Sequence, residues 1–387
     1  MPTKLRFHAA GATFVSLAAI LGLAVAGVMA LNGGRALASH VSCGDTITTD
    51  TTLDSDLVNC PNNGIVIGAD DVTLDLNGHV IDGDGTQFAG CVNGEICDTG
   101  VANDGHDGIT VMHGRVRQFG IGVGVFGARD NRVLGVTSRR NLLFGFVFGG
   151  SARSLVRDSS GNRNLAPEGD GLGLFGSNHI RILHNSFRRN GLGIHVDDST
   201  HNLIKRNRIS RNADFGIFMQ GDRNRVRRNR CRRNGTCVLV NPGSRNVITR
   251  NRVSRGLAGI ALEKGRGNLV ARNVVVHTRR TGIYLGLKNP SIGGANNVVR
   301  RNRVRGSGDD AFLVNEEDDH SLLKRNIARG AGDDGFDVEG RSTKLTRNRA
   351  ARNADFGIEA LRRVIDGGGN IARHNGDPRQ CKNIACN

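Results

Sequence analysis

The residues best placed by type and spacing to do chemistry are two carboxylate runs, Gly308-Asp309-Asp310 and Gly332-Asp333-Asp334-Gly335-Phe336-Asp337. They are offset by 24 residues, close to the length of a repeat that fills the chain. One repeat apart, the two pairs fall side by side. Four or five gathered carboxylates cannot all stay ionised unless a cation neutralises them. Hard oxygen ligands of this kind favour Ca2+. A conformational reading competes, because Gly-Asp-Asp also makes good turns in which Asp bonds its own backbone. Sequence leaves both open.

A 22-residue repeat positions these groups. The Asn of successive Arg-Asn-like steps falls at Asn185, Asn207, Asn229, Asn251, Asn273, Asn302, Asn326, Asn348 and Asn370, with intervals of 22, 22, 22, 22, 29, 24, 22 and 22. A second register keeps step with it at Gly193-Ile194, Gly216-Ile217, Gly259-Ile260, Gly282-Ile283, Gly335-Phe336 and Gly357-Ile358. Within a repeat, Ile194-His195-Val196-Asp197 and Ile217-Phe218-Met219-Gln220 alternate with period two, the mark of a half-buried strand. Helix-period stripes are absent. With 55 Gly, one Tyr and no Trp, many thin layers are expected rather than one deep core. The fold class expected is all-β: a single-stranded right-handed parallel β-helix, a solenoid of about twelve coils. Parallel crossovers set the hand, and stacked Asn side chains can bond from coil to coil as ladders.

Boundaries follow from composition. Residues 1–38 read as a signal peptide: Lys4 and Arg6 precede an apolar stretch from Ala9 to Leu31, and Ala36-Leu37-Ala38 offers a cleavage site. The stretch is also long enough for an uncleaved anchor, which would be the chain's one tie to a membrane. Residues 39–63 are expected as an N-terminal cap, with Ile65 to Ile81 as the first coil and 82–106 as a Gly/Asp-rich loop. The β-helix proper is expected over 64–375, with insertions near Ala166–Asp170 and Lys288–Ala295, and a disulfide-stapled tail over 376–387. Eight Cys fall into four local pairs, Cys43/Cys60, Cys91/Cys97, Cys231/Cys237 and Cys381/Cys386, consistent with disulfides in a secreted protein.

The net charge of +17 falls to +14 without the leader's Lys4, Arg6 and Arg35. Such a chain attracts polyanions, an acidic polysaccharide among them, unless Arg merely recurs at one solvated position. No specific nucleic-acid binding is expected, because a base-stacking aromatic platform and any known motif are missing. A monomer is expected.

The Asn-rich coils, together with Asp71-Val72-Thr73-Leu74-Asp75-Leu76-Asn77-Gly78-His79, resemble the right-handed parallel β-helix repeat proteins of the pectate-lyase-like superfamily, over about residues 40–380. That superfamily includes lyases, hydrolases, epimerases and proteins without demonstrated catalysis. Asp-Asp-Gly-Phe-Asp with an Asp one coil earlier resembles the calcium cluster of one β-helical pectate lyase family. The resemblance implies Asp309, Asp333, Asp334 and Asp337 as Ca2+ ligands facing a substrate carboxylate. It also implies a Lys base on the next coil, in a Gly-Phe-Lys setting. Here Phe356-Gly357-Ile358-Glu359 puts Glu359 at that place, with Arg362 and Arg363 nearby in sequence.

Gly308-Asp309-Asp310 also partly matches the polygalacturonase-like β-helices, without their Gly-His-Gly or Arg-Ile-Lys segments. An epimerase-type Tyr/His pair would need Tyr284 and His195, which stand four coils apart, about 19 Å at strand spacing. His195, Asp197, Asp198, Glu168 and Asp170 remain as minor sites. The expected protein is therefore secreted and binds or modifies an acidic polysaccharide. Calcium-dependent, lyase-like action is one form of that reading. The alternative is a non-catalytic extracellular binding protein.

Overall fold

The computed structural model describes residues 40–86, 97–164, 169–286 and 293–387. The described residues all belong to one compact unit, within Leu37–Asn387. The expected signal peptide at 1–38 lies outside the described residues. None of the helices searched among them is long and apolar enough to cross a membrane.

Each coil is a triangle of short strands. A representative one runs through Leu192–Asp197, Leu203–Lys205 and Arg208–Ser210. The next coil lies directly upon it in parallel register, pairing Ile194 with Ile217, Ile204 with Val226 and Ile209 with Cys231. Period-two alternation sends Ile194, Val196, Ile204 and Ile209 inward, where they are fully buried. The first strands of all coils stack into one 15-stranded parallel sheet, here the face sheet, so the solenoid makes about fourteen turns rather than twelve.

The surplus comes from segments whose sequence hides a coil. Residues expected only as a cap form three strands, Asp45–Ile47, Thr51–Thr52 and Leu57–Cys60, that pair with the following coil. The segment Thr99–Asp104, assigned from its Gly and Asp content to a loop, is a strand of the face sheet. At the other end, Cys381–Lys382 adds the last strand of that sheet, on Ile358–Ala360. The insertions expected near residues 166–170 and 288–295 lie largely outside the described residues.

Three Asn ladders, rather than one, hold the corners. In the ladder read from sequence, Asn207 donates its backbone N–H to the Asn229 side-chain oxygen at 2.9 Å, and Asn229 does the same to Asn251 at 2.9 Å. A second ladder climbs through Asn202, Asn224, Asn246, Asn268 and Asn297, and a third through Asn141, Asn164, Asn190, Asn212 and Asn234. Ser and Thr stand in for Asn at several rungs, including Ser154, Ser159 and Ser321, which blurs the repeat in sequence. The residue before each rung turns the corner in the left-handed region; Arg206, Arg228 and Arg250 have φ of 60°, 57° and 57°. The Gly-Ile register has a steric cause. A Cβ on Gly193 would lie 2.4 Å from the Gly216 carbonyl oxygen of the next coil.

Disulfides join Cys43 to Cys60, Cys231 to Cys237 and Cys381 to Cys386. Cys97 is disulfide-bonded too, while Cys91, its expected partner, lies outside the described residues.

Candidate carboxylate site and its surroundings

The acidic site forms where the last coils turn into the face sheet. The backbone steps one coil at a time there: the Ala311 N–H reaches the Asp334 carbonyl, and the Gly335 N–H reaches the Phe356 carbonyl. This brings carboxylate oxygens of Asp310, Asp333 and Asp334 within 4.8 Å of one another. Of the four residues implied by resemblance, Asp333 and Asp334 enter this group. Asp310 joins them in place of Asp309, whose side chain faces solvent one position before it. Asp337 stands on the strand itself, half-buried, paired in register with Glu359.

Asp310 and Asp334 each commit one oxygen to the fold. Asp310 accepts the Asp334 N–H at 3.1 Å, and Asp334 accepts the Phe356 N–H at 2.7 Å. They form a short carboxylate ladder of their own, three residues past the third Asn corner and opposite in sense, each oxygen accepting from the following coil rather than the preceding one. These bonds tie one coil to the next rather than closing a turn, and the metal reading concerns the other oxygens of the same side chains.

Charge is concentrated here. Burial first, then neighbouring carboxylates, lift Asp310 to about 6, Asp334 to about 8 and Asp337 to about 7. Asp333 rises for the same reasons, burial first and then the charges of Asp355 and Asp309. Among the described residues, none donates a hydrogen bond to the second oxygen of Asp310 or Asp334 or to the exposed carboxylate of Asp333, and oxygens of this kind are the donor set a hard divalent cation takes.

Two cations reach the rim from the C-terminal coil. The outward column of the face sheet runs Leu313, Asp337, Glu359, Lys382. The Lys382 ammonium pairs with the Glu359 carboxylate, and that bond holds it protonated by raising its pKa. Arg379 lies 4.7 Å from the Phe356 ring centroid and pairs with Asp377 at 2.7 Å. Arg363 instead reaches Glu316, at 3.0 Å. Lys382 escaped the sequence reading because its coil lacks the Gly-Ile mark. Its only signal was a distance of 23 residues from Glu359.

Higher on the same face, registers place His195, Phe218, Leu239, Ala261 and Tyr284 in one column, four steps from first to last. His195 Nδ1 lies 3.1 Å from Asp170 Oδ2, with Phe175 and Phe218 rings 5.2 and 5.4 Å away. Burial pushes the Asp170 carboxyl up despite the imidazole. The minor-site candidates His195 and Asp170 are thus one pair. Tyr284 donates to Glu263 at 2.6 Å, and Asn241 donates to its other oxygen at 2.6 Å. Removing one donor leaves a buried carboxylate half-satisfied. Tyr284→Phe is expected to cost about 1–3 kcal/mol, read as a lowered urea midpoint with activity toward any ligand unchanged.

Residues 170–291 match the family profile described as "Right handed beta helix region". The chain is a right-handed parallel β-helix. The stacking above accords with that, as does the resemblance to the pectate-lyase-like superfamily. The β-helix matches no curated protein in sequence. Among solved structures it is similar to DFA-IIIase from Arthrobacter chlorophenolicus A6, at 13% identity over 69% of this chain and 67% of that one, TM-score 0.49. It is similar to the periplasmic alginate epimerase AlgG, at 13% identity over 77% and 76%, TM-score 0.49. A third is PfbA, a surface adhesin of Streptococcus pneumoniae, at 14% identity over 77% and 83%, TM-score 0.46.

Proposed function

We propose that this β-helix binds an acidic polysaccharide outside the cell and engages it through Ca2+ held by Asp310, Asp333 and Asp334. The observation that carries this is the trio of carboxylates within 4.8 Å of one another, two of them fixed by backbone N–H groups and each with oxygen to spare. Asp309 and Asp337 add to the negative field around it. Bound Ca2+ would supply a positive centre shared between these carboxylates and a uronate carboxylate of the polymer. The leader sequence and the disulfides support a place outside the cell.

Binding is favoured over cleavage by the state of Lys382. A base that abstracts a proton must be unprotonated, and the Glu359 partner keeps this ammonium charged. Lyase-like modification is the second reading, since Lys382 is nonetheless the one lysine in the column of Asp337. Polygalacturonate and alginate, each with calcium or with chelator, separate the two. Calcium-dependent retention of polymer, lost in Asp333→Asn plus Asp334→Asn, is the expected result, without absorbance from unsaturated ends at neutral pH. Unsaturated product would establish the lyase reading. Retention indifferent to both chelator and the double variant would refute the calcium site.

A further inference from the structure

The edge where each coil turns into the face sheet is segregated by charge. In the middle coils Arg211, Arg233 and Arg255 occupy successive turns, all left-handed, with φ of 58°, 57° and 57°. The Arg280 N–H then bonds the Leu257 carbonyl at 2.8 Å, carrying the edge one coil on. A Cβ on Gly308 would sit 2.1 Å from the Arg279 carbonyl oxygen, so Asp309 and Asp310 follow on the next coil of that same edge. Asp333 and Asp334 come one coil later. The arginine stretch thus leads into the carboxylate site.

Two clefts open along the arginine stretch. One, of about 250 Å³, is lined by Arg233, Arg255 and Arg279 with Asn212, Asn234 and Gly235. The other, of about 190 Å³, is lined by Arg188, Arg211, Arg232 and Arg233 with Ser210. They share Arg233. Among the described residues none of these six guanidinium groups forms an ion pair. The paired arginines are Arg117, Arg129, Arg153, Arg157, Arg363 and Arg379. The crowding is uncompensated: Arg232 first, then burial and Arg211 and Arg255, push the Arg233 pKa down. Asp214, on the same edge, pairs with none of them.

We infer that this edge is a groove for a linear anionic polysaccharide, whose chain runs along the coil stack from the arginine clefts toward the carboxylate site. The inference rests on the acidic-polysaccharide reading above and adds where the polymer lies. Positive charge recurs at each coil, about 4.8 Å apart, which suits an extended polymer with an anion on every unit better than a compact ligand. Guanidinium forks match carboxylates in pairs. No aromatic side chain lines either cleft, so bases of a nucleic acid find nothing to stack upon. Along the arginine edge the polymer needs no metal, and at the Asp edge it does. Binding therefore has a metal-free part and a calcium-dependent part.

The test uses the full chain, polygalacturonate, and buffers with calcium or chelator. Arg211→Asn, Arg233→Asn and Arg255→Asn are combined, since Asn tolerates left-handed backbone. A matched triple, Arg301→Asn, Arg325→Asn and Arg347→Asn, removes equal charge at left-handed positions of another corner, where φ is 55°, 56° and 54°. Thermal midpoints confirm that both fold. In chelator the first triple is expected to weaken binding by about tenfold or more, and the second by about twofold. Equal losses in both triples would reduce the groove to bulk charge and overturn it. So would polymer bound only with calcium, an outcome that leaves the calcium reading standing. Calcium-dependent gain that vanishes while chelator binding still tracks Arg233 would leave the groove and sink the metal site. Duplex DNA bound as tightly, and lost in the same triple, would overturn the choice of polysaccharide.

Discussion

In metal-free buffer the thermal midpoint is expected to fall as pH rises from about 5 to about 8, and added Ca2+ is expected to abolish most of that fall. The sign follows from linkage. Asp310, Asp334 and Asp337 have folded pKa values raised to about 6, 8 and 7, above the ordinary 3.8. Between 3.8 and those values the folded chain holds protons that the unfolded chain has released, so stability decreases with pH across that window. The lowered carboxyls Asp56, Asp130 and Asp377 act oppositely, gaining stability as pH rises, but their change is complete near pH 4. From pH 5 upward the buried cluster dominates, and Asp318, raised to about 6 by burial away from the site, adds a smaller fall that calcium leaves in place. Calcium at a hundred times its dissociation constant would add about 2.7 kcal/mol.

Asp334→Asn isolates this effect. An amide oxygen can accept the Phe356 N–H as the carboxylate does, just as Asn229 accepts from Asn207 one corner away. The rung survives and the charge goes. The variant is therefore expected to melt higher than the parent at pH 8 without metal, and to respond less to calcium. Each kcal/mol corresponds to roughly 2–4 °C for a domain of 150–250 residues. A variant melting lower than the parent at pH 8 would show that Asp334 is a structural rung alone. A parent indifferent to calcium from pH 5 to 8 would remove the metal site altogether.

The acidic cluster was visible in sequence because a 24-residue offset equals one coil there, so position along the chain translated directly into adjacency. Which carboxylate points where was not. Asp309 and Asp310 are neighbours in sequence, but alternation around the turn exposes one and buries the other. Pattern reading also favoured coils that repeat their Gly. It passed over Thr99–Asp104, whose Gly100-Val101 carries that signature but lies within a Gly/Asp-rich stretch, and Cys381–Lys382, which is held by strand pairing without it, and with the latter went Lys382. The contact of His195 with Asp170 was hidden for a different reason. Asp170 sits at the first position of its strand, next to residues 165–168, where the repeat is interrupted.

The Asn ladders predict the other large effect. Asn229 is about as buried as a side chain can be, with 1% of its surface exposed. Its oxygen accepts the backbone N–H of Asn207 at 2.9 Å and the Asn207 amide at 3.1 Å, while its own amide donates to the Ile204 carbonyl at 2.9 Å. That amide also donates to the Asn251 side-chain oxygen at 3.1 Å, so Asn229→Leu, with the same number of side-chain heavy atoms, takes a partner from all four groups in a dry interior. Each stranded group costs about 1–3 kcal/mol, so a loss of about 3 kcal/mol or more is expected, read as a lowered denaturant midpoint. Asn229→Ser should cost less. The same ladder already uses Ser159, whose hydroxyl accepts the Val136 N–H at 3.1 Å and donates to the Arg157 carbonyl at 2.9 Å. Because each coil touches only its neighbours, the damage should be local. Amide exchange should quicken most in the coils holding Asn207, Asn229 and Asn251, and least at the two ends. Equal midpoints for the Leu and Ser variants would mean that the coils are held by the apolar column alone, with the Asn stack merely filling space.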